Sequence, residues 1–192
     1  MTSQQAVKML VHLYREEVAK RGRQFENSDN FAANIEKVMG WLYNSDKQGL
    51  LLCGTVGNGK TTLAKATVRL INYYNKNYVQ GAEIWRESVK EITAYDLTTY
   101  ARDNKEKYAS CKNALRLFID DVGIEESGVK NYGNVICPFA ELLFDRYREN
   151  RLTIITTNLT MEQIKEKYDS RVADRMMEMF WRMVFTSASY RK

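Results

Sequence analysis

The chain has 192 residues, 44% hydrophobic and 28% charged, which fits one globular domain with a short appendage and excludes extensive disorder. Its longest strand-like apolar run, Leu50 to Cys53, falls far short of the roughly 20 residues of a membrane span, and charged side chains interrupt the first apolar stretch as no signal peptide allows. A net charge of +5, from 29 basic and 24 acidic residues, suits a nucleic-acid or polyphosphate partner but does not demand one, because the charges are interspersed.

Apolar residues at Val7, Leu10, Val11, Tyr14 and Val18 predict a helix from Gln4 to Lys20. Arg21-Gly22-Arg23 punctuates it, and Phe31 to Tyr43 resumes a helical pattern through Ile35, Val38, Met39 and Leu42. Leu50 to Cys53 reads as a buried strand, followed by a glycine loop and a long helix from Lys60 to about Asn75. Val89 to Thr93 is a short strand, then comes a helix through Leu97, Tyr100 and Ala101 and a charged connection. Leu115 to Ile119 is a buried strand ending in two acids. Gly123 to Asn134 reads as loop, and a helix spans about Val135 to Asn150. Leu152 to Thr156 is another buried strand, and Thr160 with Gln163 makes a capping box for the next helix. A helix from about Ser170 to Phe180 and a strand from Trp181 to Phe185 close the pattern. Apolar strands alternating with helices mean an α/β layer fold with a mainly parallel sheet. The three cysteines, Cys53, Cys111 and Cys137, lack metal-ligand spacing and cannot form a closed disulfide set, so a cytoplasmic location is expected.

Gly54-Thr55-Val56-Gly57-Asn58-Gly59-Lys60-Thr61, with Thr62 after it, satisfies G-x-x-x-x-G-K-[ST] between a strand and a helix. Glycines let the backbone turn its N–H groups toward a polyphosphate, and the helix beginning at Lys60 adds the positive end of its dipole. Lys60 reaches the β- and γ-phosphates in such a loop, and the Thr61 hydroxyl ligates Mg²⁺. The second strand delivers Asp120 as the metal-holding carboxylate and Asp121 as the base toward water. If Leu152–Thr156 lies between these two strands, Asn158 reaches the attacking water or the γ-phosphate. The alternative makes Asn158 a turn residue. Arg171 and Arg175 share a helix face, either as cations offered to a neighbouring subunit or as a solvated face paired with Asp169, Asp174 and Glu178.

From Gly49 to Arg191 the string resembles the AAA+ ATPases of the bacterial helicase-loader family (DnaC-like), with the IstB-like transposition helpers as close kin. The resemblance is carried by the phosphate loop, Ile119-Asp120-Asp121-Val122-Gly123, Thr153 to Leu159, Ser170-Arg171-Val172-Ala173-Asp174-Arg175-Met176 and Ser189-Tyr190-Arg191. It implies a three-layer α/β/α P-loop NTPase of AAA+ type with a mainly parallel five-stranded sheet. Residues 1–48 would be an N-terminal helical segment and 49–192 the ATPase core. Asn158 would be the sensor-1 residue, Arg175 an arginine finger supported by Arg171, and Arg191 a sensor-2-like group.

The family hydrolyses ATP with Mg²⁺, binds single-stranded DNA and assembles on a hexameric replicative helicase. Val56 stands where the family often has proline. The chain ends just after Arg191, leaving no room for a helical lid, so one side of the nucleotide is expected to lie open in a monomer. Helicase contact would fall to the Gln4–Lys20 helix or be absent. The leading function is an ATPase accessory to DNA replication, slow by itself and stimulated by assembly or DNA, with single-stranded DNA held around Tyr95, Tyr100 and Arg102. A transposition or conjugation helper, a nucleotide-gated interaction module with little turnover and a small-molecule kinase are the alternatives.

Overall fold

Five short segments build a central sheet whose inner strands are apolar and largely buried on both faces, while the outer two also carry exposed residues. In the computed structural model, which describes residues 1–79, 87–131 and 134–186, these are β1 (Gly49–Gly54), β2 (Lys90–Thr93), β3 (Arg116–Val122), β6 (Leu152–Thr157) and β7 (Phe180–Phe185). All pair in parallel, in the order β2-β3-β6-β1-β7. The β6 strand therefore does lie between β1 and β3, the arrangement that Asn158 required.

Helices α1 (Ser3–Ala19), α2 (Asp29–Asn44) and α3 (Lys60–Tyr78) precede β2. Next come α4 (Ala94–Asp103) and α5 (Lys105–Asn113), then, after β3, a small antiparallel hairpin of β4 (Val129–Asn131) and β5 (Asn134–Ile136). The remaining helices are α6 (Pro138–Arg148), α7 (Met161–Lys167) and α8 (Ser170–Met179). Side-chain alternation along the strands divides the core in two. Leu50, Leu52, Phe118 and Ile154 join α1, α2 and α3 on one face, while Leu51, Cys53, Leu117, Ile119 and Ile155 join α4, α6, α7 and α8 on the other. This is the three-layer α/β/α architecture.

Three local expectations need correction. The charged connection after α4 is helix α5, whose start Asn104 caps by accepting from the Lys107 N–H. The stretch read as loop from Gly123 to Asn134 contains β4 and the start of β5. Helix α6 begins at Pro138 and not at Val135, because proline is preorganised for a helix's first turn and Val135 is paired in β5.

The N-terminal helix spends its apolar stripe on packing. Ala6, Leu10 and Leu13 are buried in the same cluster as Leu63, Ala66 and Leu70 of α3. Arg69 of α3 also bonds Glu17 at 2.9 Å and Glu16 at 2.5 Å. Burial raises the Glu17 carboxyl's pKa, but hydrogen bonds from Lys20 and Arg69 outweigh it and hold the group below the usual carboxylate range.

Candidate functional site

At the C-terminal ends of the parallel strands lies a cavity of about 620 Å³, within the range of nucleotide-sized ligand sites. Its floor is residues 56–62, its far wall includes Asp121 and Asn158, and its near wall comes from residues 14–31.

The loop's backbone explains its glycines. Gly54, Gly57 and Gly59 have φ of 137°, 86° and 89°, which side chains other than glycine's resist. A Cβ at Gly54 would also run into the Phe185 carbonyl. Asn58, buried, donates to that carbonyl at 3.1 Å and so ties the loop to β7. Lys60 is 4% exposed, and its ammonium donates to the carbonyls of Gly54 at 2.8 Å and Thr55 at 2.7 Å and to Asn58 Oδ1 at 3.1 Å. A phosphate oxygen, being charged, is a stronger acceptor for the same protons.

The two acids sit on a kink. The β3–β6 register breaks between Ile119 and Val122, and Asp121 has φ of 56°, in the left-handed region that aspartate tolerates better than most residues. The bulge lets consecutive residues serve one site, with Asp120 toward the loop and Asp121 lining the cavity. Asp120 Oδ1 accepts from the Thr61 hydroxyl at 2.9 Å and from the Thr156 hydroxyl at 2.6 Å. Thr156 Oγ1 in turn accepts the Asp121 N–H at 2.8 Å, so one buried hydroxyl orients both acids. The Thr61–Asp120 pair offers hard oxygen donors of the kind Mg²⁺ prefers.

Beyond the acids, Glu125 is 3% exposed and binds the chain back on itself. It accepts the Gly123 N–H at 2.8 Å and the Tyr168 hydroxyl, while Lys167 donates to its carbonyl at 2.7 Å. Burial, and then Glu125's charge, push the Tyr168 phenol far up, so it stays a donor. Tyr168 directly precedes Asp169, which caps α8 by accepting the Val172 N–H at 2.8 Å. The acidic strand end is thereby joined to the helix carrying Arg171 and Arg175.

Those arginines do not line the phosphate-loop cavity. With Phe144 and Asp174 they edge a separate cavity of about 360 Å³. Val172 and Met176 bury the opposite face of α8. Arg171 pairs with Asp169 at 3.1 Å and its side chain is 80% exposed. Arg175 pairs with Glu178 at 2.7 Å and lies 4.6 Å from the centre of the Tyr147 ring. Hydrogen bonds from Tyr147 and Arg175 hold the Glu178 carboxyl below the usual carboxylate range. Both arginines thus have acidic partners of the kind anticipated for a solvated face, and both remain exposed in part. Arg191 lies outside the described residues.

Sequence reasoning missed Thr156 as an orienting group and the whole near wall. Tyr14, Val18, Arg21, Arg23, Phe25 and Phe31 line the cavity, and the rings of Tyr14, Phe25 and Phe31 form a cluster with centroids 4.8 to 6.1 Å apart. Residues 14–31 thus supply one wall of the cavity. In the sequence Tyr14 and Val18 read as helix packing, Arg21 and Arg23 as a break, and Phe31 as the start of the next helical pattern. Of the aromatic and basic positions considered for DNA, Tyr95 is 63% exposed at the start of α4, Tyr100 packs on the core and Arg102 pairs with Asp103 at 2.9 Å. Among the described residues no helix is long and apolar enough to cross a membrane.

The sequence matches no protein-family model and no curated relative. Solved structures do resemble it. A DnaI structure is 22% identical with a TM-score of 0.62, over 84% of this chain and 88% of that one. The DnaC helicase loader is 19% identical with a TM-score of 0.61, over 84% and 93%. The replication initiator DnaA bound to AMPPCP and single-stranded DNA is 14% identical with a TM-score of 0.59, over 85% of this chain and 49% of that one. The fold is thus shared with these structures, and the resemblance read in the sequence has its structural counterpart in DnaI and DnaC.

Proposed function

We propose that this protein binds ATP with Mg²⁺ at the phosphate loop, hydrolyses it, and serves DNA replication as an accessory ATPase of the helicase-loader kind. One observation carries the reading: Thr61 and Asp120, 59 residues apart, meet at 2.9 Å beneath a glycine loop whose lysine is buried at the cavity floor. A bare glycine turn needs neither contact.

The roles follow from chemistry. Backbone N–H groups of 54–61 and the α3 dipole receive the β- and γ-phosphates, and Lys60 gives them a charged donor. Thr61 and Asp120 would hold Mg²⁺, which neutralises charge building on the phosphate oxygens. Asp121 accepts the proton of a water that attacks the γ-phosphorus in line, so that ADP and phosphate leave, while Asn158 orients that water. The Tyr14, Phe25 and Phe31 rings offer an apolar face for the base. Arg175, supported by Arg171, is offered to the γ-phosphate of a neighbouring copy, which makes assembly a condition of fast turnover. In the sequence resemblance Arg191 adds a cation toward the nucleotide.

The client is a replicative helicase with single-stranded DNA, supported by the likeness to a structure described as a helicase loader and to a DnaA bound to single-stranded DNA. Exposed Tyr95, beside Arg102 on α4, is the stacking surface assigned to DNA.

Phosphate release measured with and without single-stranded DNA tests the ATPase. Wild type should turn over and be stimulated, and Lys60→Ala should be silent. Equal rates in the two proteins would refute the assignment. Capture of the cognate helicase in ATP but not ADP tests the client, and capture independent of nucleotide would contradict the switch.

A further inference from the structure

The near wall of the cavity carries cations that the phosphate-loop chemistry does not use. Helix α1 ends in a Schellman turn: the Arg23 N–H donates to the Val18 carbonyl at 3.4 Å and the Gly22 N–H to the Ala19 carbonyl at 2.9 Å. Gly22, at φ 66°, occupies the left-handed position this turn needs. A Cβ there would have nothing within 4 Å, so backbone conformation and not space calls for glycine. Arg21 and Arg23 flank it, and both line the cavity that Lys60 also lines.

The turn is anchored on both sides. Upstream, α1 is fastened to α3 by Ala6, Leu10, Leu13 and the Arg69 bonds to Glu16 and Glu17. Downstream, Phe25 sits against Tyr14 and Phe31 and under the Arg15 guanidinium, 4.8 Å from its ring centre. The stems of Arg21 and Arg23 therefore leave the backbone from fixed points.

We infer that Arg21 and Arg23 form a cationic wall, supplied in cis by the N-terminal segment, that grips the terminal phosphates of a nucleoside triphosphate. This rests on the nucleotide reading proposed above. Charge balance supports it. Asp120 and Asp121 offset much of what Lys60 and a divalent cation bring, and a triphosphate needs further positive charge. Glu26 on the same wall is the one acid among these near-wall residues, so the two arginines leave that wall net positive. Guanidinium forks match phosphate oxygens two at a time.

The test uses the full chain with fluorescent N-methylanthraniloyl-ATP and -ADP in Mg²⁺, by equilibrium titration. Both arginines are exposed, so the Arg21→Gln/Arg23→Gln protein should fold as wild type, checked by its melting curve. It should bind the ATP analogue about tenfold more weakly, with a smaller loss for the ADP analogue. Gly22→Ala, which keeps both cations but strains the turn, should fall between. Wild type that binds neither nucleotide would overturn the nucleotide reading and this inference together. Wild type that binds, with a double variant losing nothing or losing both nucleotides equally, would overturn this inference alone.

Discussion

Replacing Thr156 by valine isolates what holds the two acids. The side chains are nearly the same size, and Thr156 is fully buried, so no cavity is made. Two hydrogen bonds go: the one given to Asp120 Oδ1 at 2.6 Å and the one taken from the Asp121 N–H at 2.8 Å. A bond to a charged group contributes about 1.5–3 kcal/mol, and stranding a buried N–H costs about 1–3 kcal/mol. Asp120 keeps Thr61 and is half-buried, so water recovers part of the first loss. The net should be about 2–3 kcal/mol, or roughly 5–10 °C in Tm for a chain of this size. Mg²⁺-dependent ATP binding should weaken as well, because Asp120 loses one of the two donors that orient it. Thr156→Ser keeps the hydroxyl and should restore binding even where it costs some stability. A valine variant matching wild type in both melting temperature and Mg²⁺ dependence would refute the reasoning.

Other consequences are as specific. Gly54→Ala meets the Phe185 carbonyl at a φ of 137°, and should cost at least about 2 kcal/mol in urea unfolding and abolish nucleotide binding. Phe25→Ala should weaken ATP and ADP alike by about 1–2 kcal/mol and leave inorganic triphosphate unaffected in competition titrations. Arg175→Ala and Asp121→Ala, each inactive alone, should recover part of their phosphate release when mixed, as sites shared between copies require. Arg69→Met removes the partner that helps keep Glu17 low. The Glu17 pair stabilises above the unfolded glutamate value of about 4.3, and that stability is lost as pH falls through the lower folded value. The wild-type advantage in Tm should therefore be full at pH 7 and shrink in acid.

The three inner strands were legible because each holds an apolar run bounded by polar residues, and the phosphate loop because its spacing leaves little else for it to be. Helix α5 was not: only Cys111 of its nine residues is buried, so it carries no apolar stripe. The three-residue strands β4 and β5 are shorter than any periodic signal. Asp121's left-handed backbone follows from a register shift against β6, which no local pattern encodes. The near wall depends on where α1 docks. Tyr14 and Phe31 read as ordinary packing until the chain folds back over the loop.

The most direct test of the account is calorimetric titration of wild type with ATP, with and without Mg²⁺, beside Lys60→Ala and Asp120→Asn. Saturable binding that Mg²⁺ strengthens in wild type, that Lys60→Ala abolishes and that loses its Mg²⁺ dependence in Asp120→Asn is the predicted result. Wild type that takes up no heat-detectable ATP at millimolar nucleotide, or an Asp120→Asn protein with unchanged Mg²⁺ dependence, would contradict it.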